Sequence, residues 1–195
     1  MQVLSSLQSA ELIRLLQTGA VGVLPTDTLY GLVCRAADQT AVARLYALKS
    51  REHKPGTIIA ANIDQIAALG VKARYLKAVE QFWPNPISIE IPHHIDYLNQ
   101  STGRQGFRIP ADVEILKLLE QIGPLQTTSA NLPGEPPAVT IQEAERYFGD
   151  QVDFYVDGGD LSANKPSTLI RVVDDAIEVI REGAATIDEN GRVTT

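Results

Sequence analysis

The sequence contains few of the residues that cross-link small proteins or hold metals. Among its 195 residues there is a single cysteine, Cys34, and there are three histidines. One thiol excludes an internal disulfide framework and any site that needs several cysteine ligands. His93 and His94 are adjacent and poorly placed for joint ligation, so we do not expect a protein-held zinc or iron site. The sequence also lacks a Walker loop, a G-x-G-x-x-G segment and an H-E-x-x-H segment.

Long hydrophobic runs are missing as well. No stretch reaches the about 18 uncharged apolar residues that a membrane helix needs. The first 19 residues contain Glu11 and Arg14 inside their apolar pattern, which a secretory signal peptide does not have. Together with the single thiol, these absences lead us to expect a cytoplasmic protein with no membrane partner.

Basic residues are outnumbered: 17 Lys and Arg stand against 24 Asp and Glu, a formal net charge of −7. This balance argues against a protein whose main task is to coat nucleic acid or an anionic membrane. Residues 1–100 carry a net charge of +1 and residues 101–195 carry −8. Two stretches, 65–79 and 97–111, contain no acid at all. An anionic ligand must therefore be held by a local cluster of cations.

The hydrophobic pattern alternates between helical and strand-like segments. Apolar residues at helical spacing predict helices at 9–17, 38 to about 49, 64–69, 73–82, 113–122 and about 142–148. Short apolar runs predict strands at 21–24, 57–60, 87–91, 107–109, 125–128, near 154, 168–173 and 176–180. With no repeats and no obvious linker, the alternation predicts a single α/β or α+β domain, 1–195, around one sheet. Its core would span about 5–185, followed by a short C-terminal tail.

Small polar side chains stand where two of the predicted strands end. Thr26-Asp27-Thr28 follows the strand 21–24, and Thr127-Thr128-Ser129-Ala130-Asn131 closes the strand 125–128. Ligands gather at the carboxyl ends of strands in open sheets, so these hydroxyls are candidate binding groups. Spacing alone, however, favours a turn or a helix cap. No G-x-S-x-G elbow and no identifiable histidine partner accompany Ser129, so we expect it to bind a ligand rather than attack one.

Cationic side chains lie near the ends of two predicted elements. Lys49 and Arg51 follow a predicted helix, and Arg181 follows the strand 176–180. A cation at a helix end is usually solvated and favoured by the helix dipole. Residues i and i+2 do not share a helix face. Lys49 and Arg51 can therefore bind the same anion only if the helix ends near Lys49 and the chain leaves it extended.

Six short sequence segments occur one after another along the chain. They are PTDTLYGL (25–32), LKSR (48–51), FRIP (107–110), TTSAN (127–131), KPSTLI (165–170) and IREG (180–183). In this order they resemble the YrdC-like family of threonylcarbamoyl-AMP synthases, in its short single-domain form. The chain departs from the family pattern at Asn85, where relatives have glycine, and at Glu52, where they have proline.

The resemblance implies a twisted mixed β-sheet flanked by helices, with a deep concave site. It implies a nucleotidyltransferase that joins L-threonine, bicarbonate and ATP into L-threonylcarbamoyladenylate, with release of pyrophosphate, for the t6A37 modification of tRNA. By motif position, threonine would be bound by Thr28, Arg108, Thr127 and Ser167. ATP would be bound by Lys49, Arg51, Ser129, Asn131 and Arg181.

The resemblance implies no catalytic nucleophile. Positioning and charge stabilisation would carry the reaction, with Mg²⁺ on the ATP phosphates. The product would pass to downstream t6A transferase proteins, and direct tRNA binding is left open.

Two alternatives remain. One is an RNA-binding or ribosome-maturation module, in which Lys72, Arg74, Lys77, Arg104 and Arg108 line a basic groove. The other is carbamoyl-adenylate formation, by analogy with the same domain in hydrogenase maturation proteins, an activity that uses further domains.

Overall fold

The computed structural model describes residues 2–50, 52–174, 176–188 and 191–194. Its helices are α1 (Ala10–Gln17), α2 (Gln39–Leu48), α3 (Ile63–Ala68), α4 (Ala73–Val79), α5 (Asp96–Asn99), α6 (Val113–Ile122) and α7 (Ile141–Phe148). Short 3-10 helices span Glu80–Phe82 and Gly149–Gln151. Among the described residues, every helix falls short of the length and apolar character required to cross a membrane.

The strands are shorter than the helices on average and occur along the whole chain. They are β1 (Gln2–Leu4), β2 (Gly22–Pro25), β3 (Tyr30–Arg35), β4 (Thr57–Ile59), β5 (Ile87–Pro92), β6 (Arg104–Arg108), β7 (Leu125–Ser129), β8 (Phe154–Val156), β9 (Thr168–Val173), β10 (Ala176–Arg181), β11 (Thr186–Ile187) and β12 (Val193–Thr194).

Ten strands in the described part of the chain form one mixed sheet, in the order β1-β8-β2-β3-β7-β4-β6-β5-β9-β10. Its parallel pairs are β1–β8, β2–β8, β4–β6 and β5–β9, and the other neighbours are antiparallel. β11 and β12 form a separate hairpin. The predicted mixed sheet flanked by helices is therefore confirmed, while the domain bounds stay a prediction.

Adjacent residues on the central strands point to opposite faces of the sheet, as the period of two requires. Val23 and Leu32 belong to the hydrophobic core on the face covered by α2. Leu24 and Val33, their neighbours along the chain, pack with α1 and α6 on the other face. Fully burying one such side chain contributes about 1.5–3 kcal/mol, so both faces of these strands drive folding.

α1 and α6 leave part of their own face of the sheet uncovered. On β4, Ile59 packs in the cluster with these helices, whereas Thr57, two residues earlier on the same face, lines a cavity. On β7, Leu125 likewise packs in that cluster, whereas Thr127 lines the cavity. The change from apolar to hydroxyl side chains along a strand therefore marks where the core ends and the cavity begins.

Side-chain caps define the start of several helices, including α2 and α6. Asp38, directly before α2, accepts a hydrogen bond from Ala41 N at 2.9 Å. Asp112 does the same for α6, through Ile115 N at 2.9 Å. An N-cap of this kind satisfies a backbone donor that the helix itself leaves unpaired.

The strand predictions were wrong in two places near the cavity. β3 was not predicted, because the segment from Pro25 to Leu32 was interpreted as a turn, although Tyr30 to Cys34 are all buried. β6 begins at Arg104 rather than at residue 107, so three more residues belong to the sheet. Both strands carry polar or glycine residues, because one of their faces borders the cavity rather than the core.

Candidate active site

A cavity of about 460 Å³ opens on the sheet face that α1 and α6 leave uncovered. Its volume lies within the range of small-molecule sites, about 300–1,000 Å³. Residues of β3 to β7, β9 and β10, the loop after β2 and the loop that contains Lys54 form its wall. Six of the nine predicted ligand-binding residues line it: Thr28, Arg108, Thr127, Ser129, Ser167 and Arg181. Segments separated by up to 153 residues (Thr28 to Arg181) therefore meet at one site, as their order in the sequence predicted.

Thr28 is held by Thr26 at the end of β2. Thr26 Oγ1 donates to the Leu29 carbonyl at 2.7 Å and accepts from Thr28 N at 3.2 Å. The two threonine hydroxyl oxygens lie 3.0 Å apart. Since the single proton of Thr26 is used by Leu29, Thr28 must donate to Thr26. Thr28 Oγ1 therefore offers lone pairs to the cavity and can accept a hydrogen bond from a ligand amine or hydroxyl.

Arg108 forms a buried ion pair that the sequence did not predict. Its Nη2 lies 3.0 Å from Asp27 Oδ1, and about 5% and 7% of the two side chains are exposed. Burial raises the pKa of Asp27, and the Arg108 charge opposes that rise only in part. Asp27 had been interpreted only as part of a turn. The signal available was the general one that a buried arginine needs a counter-charge.

Arg108 retains capacity for a further partner. Its Nη1 donates to Ser88 Oγ at 3.4 Å, and its Nε is buried without an acceptor among the described residues. A buried donor without a partner costs about 1–3 kcal/mol. Arg108 also lines the cavity, so its positive charge can act on a ligand there, and the predicted pairing with a carboxylate has a physical basis.

Arg181 crosses from β10 to the start of β9. Its Nη2 donates to the Ser167 carbonyl at 2.7 Å and to Ser167 Oγ at 3.2 Å. Gly183, two residues later, makes this approach possible, because a Cβ there would overlap the carbonyl groups of Pro166 and Ser167. The glycine of the IREG segment thus has a steric function next to the arginine.

Glycines also permit close contact around Thr127. A Cβ on Gly31 would lie 2.6 Å from Thr127 Oγ1, and a Cβ on Gly56 would overlap the Thr127 carbonyl. Both glycines line the cavity. The absence of side chains at these two positions therefore fixes where the Thr127 hydroxyl stands.

Lys49 and Asn131 lie behind the cavity wall rather than on it. Lys49 Nζ donates to the Ser129 carbonyl at 2.9 Å, to Asn131 Oδ1 at 2.7 Å and to the Asn131 carbonyl. Ser129 Oγ donates to Asn131 Oδ1 at 2.7 Å. The buried ammonium group thus draws the loop after β7 together and places Ser129 at the cavity.

The prediction for the end of α2 was correct in where the helix stops and wrong in the backbone conformation that follows it. The helix ends at Leu48 with Lys49 as its C-cap, as expected. Ser50, however, has a φ of 43°, so the chain turns through the left-handed conformation that often ends helices instead of leaving extended. Arg51, a predicted ATP-binding residue, lies outside the described residues.

Glu90 and Arg104 line the cavity, although neither was predicted to bind threonine or ATP, and Arg104 was predicted only for the RNA groove. Glu90 Oε1 lies 2.7 Å from Arg171 Nη2 and 3.9 Å from Arg104 Nη1. The sequence contained a signal for each. Glu90 interrupts an apolar strand between Ile89 and Ile91, and Arg104 lies in the acid-free stretch 97–111.

The proposed RNA groove loses one of its five cationic residues in the structure. Arg108 is buried in the cavity wall, so it cannot contribute to an exposed groove. Arg74 lies 4.7 Å from the Tyr75 ring centre and its hydrogen bond lowers the pKa of Tyr75. The charges of Lys72 and Arg104 act on that pKa in the same direction, so these cations are neighbours. RNA binding stays a prediction.

Comparison with known sequences finds similarity along most of the chain. Residues 14–183 match the Sua5/YciO/YrdC domain family, described as "Telomere recombination". A protein of Methanocaldococcus jannaschii named putative threonylcarbamoyl-AMP synthase is 34% identical over 184 residues, covering 89% of this chain and 84% of that protein. A threonylcarbamoyl-AMP synthase of Pseudomonas putida GB-1 is 33% identical over 187 residues, covering 93% of this chain and all of that protein.

Solved structures show the same fold. E. coli YciO superposes with a TM-score of 0.77 at 24% identity, covering 93% of this chain and 94% of that chain. P. abyssi Sua5, solved in complex with L-threonine, superposes with a TM-score of 0.84 at 22% identity. That match covers 97% of this chain, which spans 60% of the length of the Sua5 chain.

Proposed function

This chain belongs to the Sua5/YciO/YrdC family, and on that premise we propose that it is a threonylcarbamoyl-AMP synthase. The observation that carries the proposal is the convergence of Thr28, Arg108, Thr127, Ser167 and Arg181 on one cavity. Relatives that are about one-third identical carry this enzyme name. The enzyme joins L-threonine, bicarbonate and ATP, and releases pyrophosphate.

One end of the cavity suits an amino acid. Arg108 lines the cavity and presents its guanidinium charge to a carboxylate there, and charge-assisted hydrogen bonds of this kind are the strong ones. Thr28 Oγ1 offers lone pairs to the amine or the hydroxyl of threonine. A site that hydrogen-bonds a substrate hydroxyl discriminates strongly against analogues that lack it.

The other end would hold ATP through Ser129 and Arg181, with Lys49 and Asn131 shaping the loop after β7 and Arg51 as a further cation. The described residues contain no cluster of three or more His, Cys, Asp or Glu side chains that would hold a metal by itself. Mg²⁺ is therefore proposed to be carried mainly by the ATP phosphates, where it neutralises part of their charge.

The chemistry needs no protein nucleophile. The threonine amine takes up bicarbonate, with loss of water, to form a carbamate. A carbamate oxygen then forms a bond to the α-phosphorus of ATP, and the bond from that phosphorus to the β-phosphate oxygen breaks. Positioning and charge stabilisation are sufficient for a transfer of this class. We propose that the product passes to downstream t6A transferase proteins. The cytoplasmic location expected from the sequence would put both in the same compartment.

The direct test is pyrophosphate release with each substrate omitted in turn. We expect release to require ATP, L-threonine and bicarbonate together. L-valine, which has a methyl group in place of the threonine hydroxyl, is the matched control and should support little release. Pyrophosphate release that is unaffected by omission of threonine would contradict the proposal.

A further inference from the structure

A chain of hydrogen bonds joins two of the arginines that line the cavity, Arg108 and Arg181. Arg108 Nη1 donates to Ser88 Oγ at 3.4 Å, Ser88 Oγ and Ser167 Oγ lie 2.9 Å apart, and Arg181 Nη2 donates to Ser167 Oγ at 3.2 Å. Ser88 lies on β5 and is completely buried, whereas Ser167 lines the cavity. Two hydroxyl groups thus stand between the proposed carboxylate-binding and nucleotide-binding arginines.

The direction of the hydrogen bond between the two serines follows from counting protons. A hydroxyl has one proton to donate and two lone pairs that accept. Both arginines can only donate, so Ser88 and Ser167 each already accept one hydrogen bond. The remaining choice is which serine donates to the other.

Only one direction satisfies every group. If Ser167 donated to Ser88, the Ser88 proton would be buried with no acceptor among the described residues. Burying an unpaired hydroxyl donor is unfavourable. If Ser88 donates to Ser167, the lone pairs of Ser167 are filled by Ser88 and Arg181, and its proton is free to point into the cavity.

We propose that Ser88 is a positioning residue that makes the Ser167 hydroxyl a hydrogen-bond donor to an oxygen of bound threonine. Ser88 itself does not line the cavity. The inference deepens the proposed function and rests on it, because it assumes threonine as the ligand. It also gives the cavity two complementary hydroxyls: Thr28 accepts a hydrogen bond and Ser167 donates one.

The test compares Ser88→Ala, Ser88→Cys and Ser88→Thr with the parent protein. Thiols are weak donors, so the Cys variant fills the site with a slightly larger atom and loses most of the hydrogen bond. We expect the Ala and Cys variants to raise the threonine KM about tenfold with less than a twofold change in the KM for ATP. The Thr variant keeps a hydroxyl and should stay within about threefold of the parent.

A double variant shows whether Ser88 acts through Ser167. Contacting residues that act together give non-additive effects. In a Ser167→Ala background, adding Ser88→Ala should therefore change the threonine KM less than twofold. Thr140→Ala, which removes the hydroxyl that caps α7 outside the cavity, is the control for a lost hydroxyl; it should lower Tm and leave the threonine KM unchanged.

The possible outcomes distinguish a failure of the Ser88 proposal from a failure of the proposed function. Folded Ala and Cys variants with a parental threonine KM, or fully additive effects in the double variant, would overturn the positioning role of Ser88. Threonine affinity measured by calorimetry on the same variants tests that role without turnover. A parent protein that binds threonine but releases no pyrophosphate would overturn the proposed function and leave the affinity comparison as the test of Ser88.

Discussion

The cavity wall and the surface between α2 and β8 each contain an Arg–Asp ion pair, in opposite environments. Asp27 and Arg108 are almost completely buried, 3.0 Å apart. Arg44 and Asp153 are 41% and 35% exposed, 2.5 Å apart. Burial raises the pKa of Asp27 more than Arg108 lowers it. Burial also raises the pKa of Asp153, but hydrogen bonds from Arg44 and Val21 N outweigh it, so that this pKa is lowered.

The difference indicates what each pair does. A lowered carboxylate pKa means that the native state favours the charge, so the Asp153 pair contributes to stability. A raised pKa means that the native state disfavours the charge, so the Asp27 pair is not there for stability alone. Buried pairs of this kind are weak evidence for stability. Holding Arg108 at the cavity for a ligand gives the Asp27 pair a function.

The largest effect is expected when the buried pair loses its cation. Arg108→Ala should lower kcat/KM for threonine about 1,000-fold, which corresponds to about 4 kcal/mol. It should also lower the free energy of unfolding by about 3–5 kcal/mol, because Asp27 would be buried without its partner. Pyrophosphate release and urea denaturation measure the two effects.

Two further variants separate activity from stability at this position. The double variant Asp27→Ala/Arg108→Ala removes both charges and should regain much of the lost stability but none of the activity. Arg44→Ala, which breaks the exposed pair, is the matched arginine control and should keep parental activity. A value of kcat/KM for Arg108→Ala within tenfold of the parent would remove Arg108 from the proposed threonine site.

The second prediction concerns pH and the Asp27 carboxyl. Because its native pKa is raised, the native state binds more protons than the unfolded state above the ordinary value of 3.8. Stability should therefore fall as pH rises from 3.8 through the raised pKa, by up to about 1.4 kcal/mol per pH unit. The Asp27→Asn variant cannot titrate there and should lack this contribution.

The difference between parent and variant isolates the Asp27 carboxyl, because all other groups titrate in both proteins. Urea denaturation from pH 4 to pH 7 should show the parent becoming less stable relative to Asp27→Asn as pH rises. If the parent instead gains stability relative to the variant over this range, the native pKa of Asp27 is lowered, and both pairs would serve stability.

Much of the fold near these pairs was predictable from local sequence. Amphipathic periodicity placed α2 and α6 within about a residue of their observed ends. β3 was missed because the sequence signal of a strand is an alternation or an apolar run, and this strand begins beside turn-forming residues. Its identity as a strand comes from pairing with β2 and β7, which is a property of the whole sheet.

The residues of the candidate site were likewise predictable only in part. The sequence motifs predicted a shared site for Thr28, Arg108, Thr127, Ser129, Ser167 and Arg181, and all six line one cavity, while their ligand contacts stay predictions. The partners of these residues were not predictable. Asp27 and Arg108 lie 81 residues apart and Ser88 and Ser167 lie 79 apart, so only the strand order makes them neighbours. The family resemblance indicated ligand contacts and carried no information on the buried supports.

The smallest expected effect is on the exposed pair, and it should have the opposite pH dependence. Asp153→Asn should lower the free energy of unfolding by about 1 kcal/mol at pH 7, because the exposed pair is partly screened by solvent. The native pKa of Asp153 is lowered, so this contribution is present above 3.8 and is lost as pH falls through the native pKa. Denaturation at pH 7 and at pH 3 should show the parent and variant converging at the lower pH, with threonine-dependent pyrophosphate release unchanged. A difference that grows as pH falls would mean that the two ion pairs respond to their environments alike, and the contrast between cavity wall and surface would then have to rest on Arg108 alone.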